Sequence, residues 1–413
     1  MSARDVIVNL RALAERTSDA NGAQRVAWSA VWRDARQWLD RTLADLGLHT
    51  EPDAAGNNWV TVPGESPRTV IIGGHLDSVP NGGWLDGALG VLAGVEALRR
   101  VRNTRPPVTL AVVDFADEEG ARFSRSLLGS SGASGSLVAE SARDLVDKQG
   151  VRLVDALAEN GVELDRMPEA RQSLLARDPR AYLELHIEQG PVLEAMDKPT
   201  GVVIGTYGVE RHVLRFTGQA AHSGSTPIAM RRDAFLAAAE TALACRDIAR
   251  RYSTPDAGMV CTVGTVSVEP GIVTAVPGVC EISLDQRALE ADMLARALAD
   301  ARQAADQAAR TNGVSVEWRH VWRIEPCRFD PRLVELCAEA AREITGHAPH
   351  LASGPLHDAV EMSRLMPAAM MFAYSSKGLS HCKEEDTPEP YLEQTIEAFL
   401  RLVDKAVAAV AAE

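Results

Sequence analysis

The chain has 413 residues, with 43 Lys and Arg against 57 Asp and Glu and a formal net charge of −14. This length allows two or three domains, and the acidic balance excludes the basic footprint of a nucleic-acid-binding protein. Because no uncharged apolar run is long enough to span a membrane and the N-terminus lacks the apolar core of a signal peptide, we expect a cytoplasmic protein without membrane contacts.

The first half of the chain alternates helical and strand patterns. Apolar residues recur at helical spacing over 6–14 and 28–46, and β-branched runs at 69–79 and 107–117 flank a helical pattern at 87–101. This β-α-β order predicts neighbouring parallel strands whose carboxyl ends meet at one edge of a sheet. Since polar groups follow these strands, we expect a functional site at that edge.

Beyond Gly201 the pattern changes to period two, which is typical of a sheet with one exposed face. The predicted strands are 212–220, 259–270, 278–289 and 313–324, separated by helices at 233–251 and 291–312. The later helices are predicted at 331–345 and 390–411, with a strand at 368–374 between them.

These patterns predict an α/β protein of two domains. A discontinuous catalytic domain, 1–206 and 327–413, has a mixed, mostly parallel sheet flanked by helices. An inserted α+β domain over 207–326 interrupts it as a lid. A further polar-ended strand is predicted over 181–190 in the catalytic domain.

Several common catalytic motifs are absent: the sequence has no G-x-S-x-G, no G-x-G-x-x-G and no Gly-Lys pair. Metal-ligating side chains stand instead at the predicted strand ends and Gly turns: His75, Asp77, Asp86, Glu118, Glu119, His186 and His381. Imidazole together with carboxylate suits Zn²⁺, Mn²⁺ or Co²⁺. The set therefore predicts a two-metal site and metal-assisted hydrolysis.

Each of these residues also fits an ordinary structural role. His75 fits a buried strand-end histidine, Asp86 fits the N-cap of the following helix, and the Glu118–Glu119 pair fits a solvated acidic turn. In the H-x-D pattern alternate strand residues share a face, so Asp77 is expected to accept the second ring N–H of His75. Adjacent carboxylates after an apolar strand are costly unless a cation compensates them, which favours the metal interpretation.

Six segments resemble, in order and spacing, the hydantoinase/carbamoylase group of di-metal amidohydrolases. They are GGHLDSVPNGGWLDGALGVLAG, DEEGARF, HIEQGPVLE, GQAAHSGSTPIAMRRDA, HDAVEMSRLMPAAMMF and GLSHCKEE. The group includes N-carbamoyl-L-amino-acid hydrolases, β-ureidopropionases and allantoate amidohydrolases, and is related to di-zinc aminopeptidases and dipeptidases. The resemblance covers nearly the whole chain, and HIEQGPVLE with HSGSTP is specific to the carbamoylase branch.

The resemblance implies two divalent ions per chain that share one bridging carboxylate. His75, Asp86 and His186 would hold one ion, while Asp86, Glu119 and His381 would hold the other. The ions implied are Zn²⁺, Mn²⁺ or Co²⁺.

The remaining site residues are also implied by the resemblance. Glu118 matches the general base that moves a proton from the attacking water to the leaving nitrogen, and Asp77 matches the residue that orients the first metal histidine. His222 matches an oxyanion-stabilising histidine delivered across a homodimer formed by the lid domain. Arg287 matches the arginine that binds the substrate carboxylate, and Gln189 is a further expected substrate contact. From the residues alone, the ordinary interpretations are favoured: His222 fits a turn residue and Arg287 fits an exposed cation.

Several positions depart from the family pattern around the substrate. Thr274 stands where the family has Asn, Pro355-Leu356 stands where it has Ala-Gly, and Cys382 stands where Asn commonly follows the last metal histidine. The neighbouring His357 is expected to face substrate, although it also fits a helix start. These changes imply a more apolar pocket, so simple N-carbamoyl amino acids are expected to be better substrates than allantoate.

The leading prediction is hydrolysis of an N-carbamoyl L-amino acid to the amino acid, ammonia and carbon dioxide. An aminoacylase or dipeptidase is the alternative within enzymes, because the same chemistry attacks either carbonyl. A non-catalytic ligand-binding relative is the alternative outside enzymes, and such a protein has no chemical need for Glu118. The expected partners are a small carboxylate substrate and a second copy of the chain.

Overall fold

The computed structural model of the protein describes residues 3–253 and 258–413. In this part of the chain the α-helices are α1 (Ala3–Thr17), α2 (Ala30–Ala44), α3 (Ala88–Val101), α4 (Leu128–Ser134), α5 (Leu153–Glu159), α6 (Ala170–Leu175), α7 (Val192–Met196), α8 (Ala234–Tyr252), α9 (Ala291–Asn312), α10 (Pro331–Thr345), α11 (Asp358–Met362) and α12 (Glu389–Ala411). Short 3-10 helices lie at Ala139–Ala142, Leu164–Glu169, Ile228–Met230 and Ser376–Gly378.

The described strands are β1 (Ser18–Asp19), β2 (Gly22–Ala23), β3 (Glu51–Pro52), β4 (Asn58–Val62), β5 (Ser66–His75), β6 (Val108–Phe115), β7 (Pro179–Ile187), β8 (Thr200–Thr206), β9 (Gly208–Thr217), β10 (Ala221–His222), β11 (Met259–Thr262), β12 (Val266–Glu269), β13 (Ala275–Val276), β14 (Val279–Ala288), β15 (Ser315–Ile324), β16 (Cys327–Arg328), β17 (His350–Ser353) and β18 (Ala368–Ala373). In these same ranges, no helix has both the length and the apolar character that a membrane span needs.

The chain divides into two compact units. The first unit comprises Met1–Ile204, Phe329–His350 and Pro355–Glu413, and the second comprises Gly205–Arg328 and Leu351–Gly354. The expected insertion, 207–326, therefore starts two residues late and ends two residues early. It also leaves out Leu351–Gly354, which belongs to the second unit. The discontinuity of the first unit follows from the return of the chain through α10, β18 and α12.

The large sheet of the protein is mixed. Its nine strands lie in the order β16-β8-β18-β7-β5-β6-β4-β3, with β17 also paired to β8. The four central strands, β18, β7, β5 and β6, are parallel. The pairs β8–β18, β4–β6 and β3–β4 are antiparallel, so the expectation of a mostly parallel sheet holds only for its centre.

Helix α3 is the crossover between the parallel strands β5 and β6, as the β-α-β pattern predicts. Every residue from Ala88 to Leu98 is buried. The helix contacts β5, β6 and β7 on one side and α1 and α12 on the other, which explains why its first eight residues, 88–95, are apolar on all sides. The crossover makes β5 and β6 parallel, and β7 is also parallel to β5, so the carboxyl ends of the three strands lie at one edge of the sheet.

The second unit is built around an antiparallel sheet of β11, β14, β9 and β15, with β12 also paired to β14. Helices α8 and α9 pack on each other and on this sheet. The single strand predicted over 259–270 is wrong, because the chain forms β11 and β12 separately. Between them the N–H groups of Gly264 and Thr265 donate to Ser283 Oγ at 3.2 and 3.0 Å, which interrupts the ladder.

Candidate metal centre and active site

The candidate site lies where three neighbouring parallel strands end. His75 is the last residue of β5, and His186 is the next-to-last residue of β7. Strand β6 ends at Phe115, and the turn that follows carries Glu118 and Glu119. Carboxyl ends of parallel strands share one edge of a sheet, which is why these distant segments meet.

A first group of ligands consists of His75, Asp86 and His186. One ligand atom from each lies within 4.8 Å of the others, and all three residues are buried. Asp86 Oδ1 is 3.0 Å from His186 Nε2 and 3.9 Å from His75 Nε2. In the described part of the chain, His75 Nε2 is buried without a hydrogen-bond partner. An orphaned imidazole nitrogen facing a carboxylate and a second imidazole is a donor set that fits a divalent cation.

A second group consists of Asp86, Glu119 and His381, again with ligand atoms within 4.8 Å. His381 Nε2 is 3.4 Å from both Asp86 Oδ2 and Glu119 Oε2. Asp86 thus directs one carboxylate oxygen to each group. This arrangement suits a carboxylate that bridges two ions.

The electrostatics of the site favour bound cations. Burial raises the pKa of Glu118 and Glu119 well above their ordinary values, and neighbouring carboxylates raise them further. Burial would also raise the pKa of Asp86, but hydrogen bonds from two histidines hold it well below its usual range. Burial lowers the pKa of His75 to about 4, so its ring is neutral and able to act as a ligand.

The contact between Asp77 and His75 differs from the expected one. His75 Nδ1 lies 3.1 Å from the main-chain oxygen of Asp77, while the nearest carboxylate oxygen is 3.6 Å away. Strand β5 ends at His75, so the alternation of side chains does not extend to Asp77. The Asp77 carboxylate instead accepts the N–H groups of Glu118 and Glu119 at 3.3 and 3.2 Å, and so holds the acidic turn.

The capping role considered for Asp86 is excluded by the geometry. The N-cap of α3 is Gly87, and no side-chain hydrogen bond caps the helix. Gly87 has φ +65°, and a Cβ there would lie 2.3 Å from the His75 ring. A glycine is therefore required at position 87, next to the His75 ring. Because the Asp86 side chain does not cap α3, its carboxylate can point to the other members of both groups.

Glu118 is buried, which excludes the solvated acidic turn. Its Oε2 lies 3.7 Å from His75 Nε2, next to the first ligand group. The residue before Glu118, Asp117, has φ +58°, and its carboxylate accepts the Trp28 Nε1–H at 2.7 Å, which helps to hold the turn in place. A buried carboxylate beside candidate metal ligands suits a general base.

Gln189 lies directly on the second group. Its Nε2 is 3.0 Å from Asp86 Oδ2, 3.1 Å from Ser380 Oγ and 3.2 Å from His381 Nε2. The side chain therefore faces the ligand atoms. Its expected substrate contact stays a prediction.

Two buried carboxylates near the site were not singled out from the sequence. Glu184 accepts the Tyr182 hydroxyl and the Ala359 N–H, both at 2.9 Å, and forms a third close group with His186 and His357. His357 is only 1% exposed, and its ring centroid is 4.4 Å from that of His186. The structure therefore places the buried His357 ring against His186, and its contact with substrate stays a prediction. The second carboxylate is Glu385, in the loop after His381.

In the second unit, His222 and Thr274 lie together. His222 in β10 pairs with Ala275 in β13, and the Thr274 carbonyl accepts the Ser223 N–H at 2.9 Å. The exposed His222 ring accepts the N–H groups of Gly224 and Ser225 at Nδ1, at 3.1 and 3.2 Å. A neutral ring therefore carries its proton on Nε2, which is available as a donor.

Arg287 is held in a defined conformation on β14. Its Nε donates to Asp285 Oδ1 at 2.8 Å and its Nη1 to the Gly354 carbonyl at 3.1 Å. A guanidinium has further N–H groups beyond these two bonds. The geometry leaves donors for an acidic ligand, although the role itself stays a prediction.

The sequence profile of Peptidase family M20/M25/M40 matches residues 71–405. This chain belongs to that family. An N-carbamoyl-L-amino acid amidohydrolase of Geobacillus stearothermophilus is 36% identical over 375 residues, which cover 89% of each chain. The allantoate amidohydrolase of Bacillus subtilis is 32% identical over 388 residues, covering 93% of this chain and 92% of that protein.

The fold of this M20-family chain is also that of solved amidases. The crystal structure of a hydantoinase/carbamoylase family amidase from Burkholderia multivorans gives a TM-score of 0.88 at 28% identity and covers 100% of this chain and 98% of that chain. The mixed sheet flanked by helices thus matches the family architecture. These findings confirm the resemblance drawn from the sequence motifs.

Proposed function

We propose that this M20-family chain is an amidohydrolase that hydrolyses the C–N bond of N-carbamoyl-L-amino acids. The observation that carries the proposal is the pair of ligand groups sharing Asp86, with the buried Glu118 beside them. The name of the N-carbamoyl-L-amino acid amidohydrolase at 36% identity supports this substrate class, whereas the allantoate amidohydrolase at 32% identity supports only the reaction type. Turnover of such substrates with release of ammonia tests it.

The proposed cofactors are two divalent ions, Zn²⁺, Mn²⁺ or Co²⁺, one for each ligand group. Cations bound by these ligands would polarise the scissile carbonyl and lower the pKa of the attacking water. The orphaned His75 Nε2 and the concentration of buried carboxylates support this assignment.

In this mechanism the protein residues position the substrate and move its protons. Glu118 accepts a proton from the attacking water, whose oxygen bonds to the ureido carbon, and returns the proton to the leaving nitrogen as its C–N bond breaks. The carbamic acid that remains decomposes to carbon dioxide and the second nitrogen product, so that one water and one ureido group give amine, ammonia and carbon dioxide. The Asp77 carboxylate keeps Glu118 in place through the main chain of the acidic turn. Thr274 and Pro355-Leu356 would give the pocket fewer amide hydrogen bonds and a more apolar wall, which favours simple N-carbamoyl amino acids over the more polar allantoate.

We further propose that the second unit acts as a lid and joins two chains into a homodimer, with His222 serving the site of the partner subunit. Exposed apolar side chains of this unit support assembly: Ile228, Met230, Ile272 and Val273 are 83%, 73%, 59% and 99% exposed. The Nε2–H of His222 would donate to the developing oxyanion.

Replacing Arg287 should weaken the binding of acidic substrates. Arg287→Ala is expected to raise KM about 10- to 100-fold, because hydrogen bonds to charged groups contribute ~1.5–3 kcal/mol. Arg287→Lys should recover only part of the loss, since a point charge lacks the guanidinium fork. Steady-state kinetics on N-carbamoyl amino acids and on their amide analogues measure the effect.

The matched control for Arg287 is Arg211→Ala, which removes another partner of Asp285. This variant should leave KM nearly unchanged. An Arg287→Ala enzyme that is impaired equally on acid and amide substrates would show that the arginine does not recognise the carboxylate.

A further inference from the structure

Glu385, a buried carboxylate outside both ligand groups, joins the loop that carries Asp86 to the loop that carries His381. Its Oε1 accepts the main-chain N–H groups of Leu85 at 3.1 Å and Asp86 at 3.0 Å. Its Oε2 accepts the Ser380 hydroxyl at 2.9 Å. The residue is 2% exposed, so these contacts are shielded from water.

Ser380 extends this connection to the shared ligand itself. Its Oγ also lies 3.2 Å from Asp86 Oδ2 and accepts Gln189 Nε2–H at 3.1 Å. The hydroxyl has a single proton, and the shorter of its two acceptor contacts is to Glu385. Ser380 immediately precedes His381 in the chain. The hydrogen bonds through Glu385 therefore connect the main chain of Asp86 to the residue next to His381.

Gly83, in the loop that carries Asp86, is packed so closely against the Glu385 carboxylate that no side chain fits at this position. A Cβ at Gly83 would lie 2.1 Å from the Glu385 carboxyl. The next residue, Trp84, donates its Nε1–H to Asp386 Oδ1 at 3.2 Å. The loop that carries Asp86 and the loop that follows His381 therefore pack against each other around Glu385, although Asp86 and Glu385 are 299 residues apart in sequence.

The two ligand groups differ in how much they depend on this contact. His75 and His186 of the first group come from β5 and β7, which are paired strands of the sheet core. Asp86 comes from a loop and is shared by both groups, but His381, the loop residue next to Ser380, belongs to the second group alone. Glu119 is held separately through Asp77. Loss of the loop-to-loop connection should therefore disturb the second group more than the first.

We propose that Glu385 is a positioning residue for the second ligand group. It fixes Asp86 and His381 relative to each other through Leu85, Asp86 and Ser380 and does not itself contact an ion. The inference deepens the proposed function and rests on its two-ion centre. Outer-shell partners of metal ligands commonly change metal affinity ~10–100-fold, which sets the expected size of the effect.

Titration of the metal-free full-length protein with Mn²⁺, followed by calorimetry and by the electron paramagnetic resonance signal of free Mn²⁺, tests the proposal. In Glu385→Ala one of two sites should lose ~10–100-fold in affinity, while the other changes little. Glu385→Gln should recover much of the loss, because its amide oxygen can accept both N–H groups. The exposed neighbour variant Glu384→Ala should bind like wild type.

Ser380→Ala provides a second, milder variant should Glu385→Ala not fold. Deleting only this hydroxyl should weaken the same site and leave the melting temperature of the metal-free protein nearly unchanged. Wild-type affinity at both sites in the variants, equal weakening of both sites, or the same loss in Glu384→Ala would overturn the inference. Fewer than two sites in the wild-type protein would instead overturn the proposed metal centre, on which the inference depends.

Discussion

Glu118→Gln should abolish most turnover while leaving metal binding intact. The amide keeps the size and polarity of the side chain but cannot accept a proton, so kcat should fall by the ~10²–10⁴-fold typical of a lost general base, or by more. Elemental analysis of the purified variant should still approach two divalent ions per chain. Steady-state kinetics and metal content measured on the same preparation check both parts.

The adjacent variant Glu119→Gln is the matched comparison, because it makes the same chemical change one residue away. Glu119 lies 3.4 Å from His381 Nε2 and not beside His75, so its loss should weaken metal binding. Excess metal should restore part of the activity of Glu119→Gln and none of that of Glu118→Gln. Exchanged phenotypes would show that the roles in the acidic turn are assigned the wrong way round.

His222→Ala should lower kcat by ~10²–10³-fold, the loss seen when one oxyanion donor is removed. On the proposed homodimer this defect belongs to the partner's site. Mixing inactive His222→Ala chains with inactive Glu118→Gln chains should therefore restore activity, since a heterodimer contains one site with both Glu118 and His222. At equal amounts and full exchange, recovery should approach about one quarter of wild type.

His347→Ala, another exposed histidine variant, controls for general effects of removing an imidazole and should be fully active. Subunit exchange must be verified by native mass spectrometry of differently tagged chains. Absence of recovery after verified exchange would show that His222 acts within its own chain or takes no part in catalysis.

The long periodic segments of this fold could be predicted from the sequence. Helices α9 and α10 begin and end where the patterns at 291–312 and 331–345 place them. For α10 the local reason is clear, since the Asp330 side chain accepts the Leu333 N–H and Pro331 occupies the first turn. The residues that determine where such a helix begins lie within one helical turn of each other, so its start can be predicted from the local sequence.

Short or interrupted elements could not be predicted in the same way. Strands β4 and β8, which have five and seven residues, were missed, because a short apolar run fits several structures until its neighbours in the sheet are known. The break between β11 and β12 depends on Ser283, which lies on the neighbouring strand β14. Such contacts belong to the tertiary structure.

The candidate ligand residues, which the structure brings into two close groups, could be proposed from the sequence because each follows a strand or a glycine turn, where a metal-ligating side chain is easily recognised. Glu184 and Glu385 were missed for the opposite reason. Glu184 lies inside an apolar strand, and Glu385 acts on main-chain N–H groups 299 residues away at Asp86, which no local pattern records. For Asp77 the residue was found but its contact was wrong, since β5 ends earlier than its apolar run indicates.

The kcat/KM of the metal-loaded wild-type protein on matched derivatives of the same L-amino acids decides whether the protein hydrolyses N-carbamoyl amino acids. N-carbamoyl, N-acetyl and dipeptide forms, together with allantoate, should be compared while free amino acid and ammonia are measured in parallel. The proposed function predicts that the N-carbamoyl forms give the highest kcat/KM and release one ammonia for each amino acid, with all turnover lost after chelation. Higher kcat/KM on the N-acetyl or dipeptide forms or on allantoate, or no turnover of any of them, would contradict it.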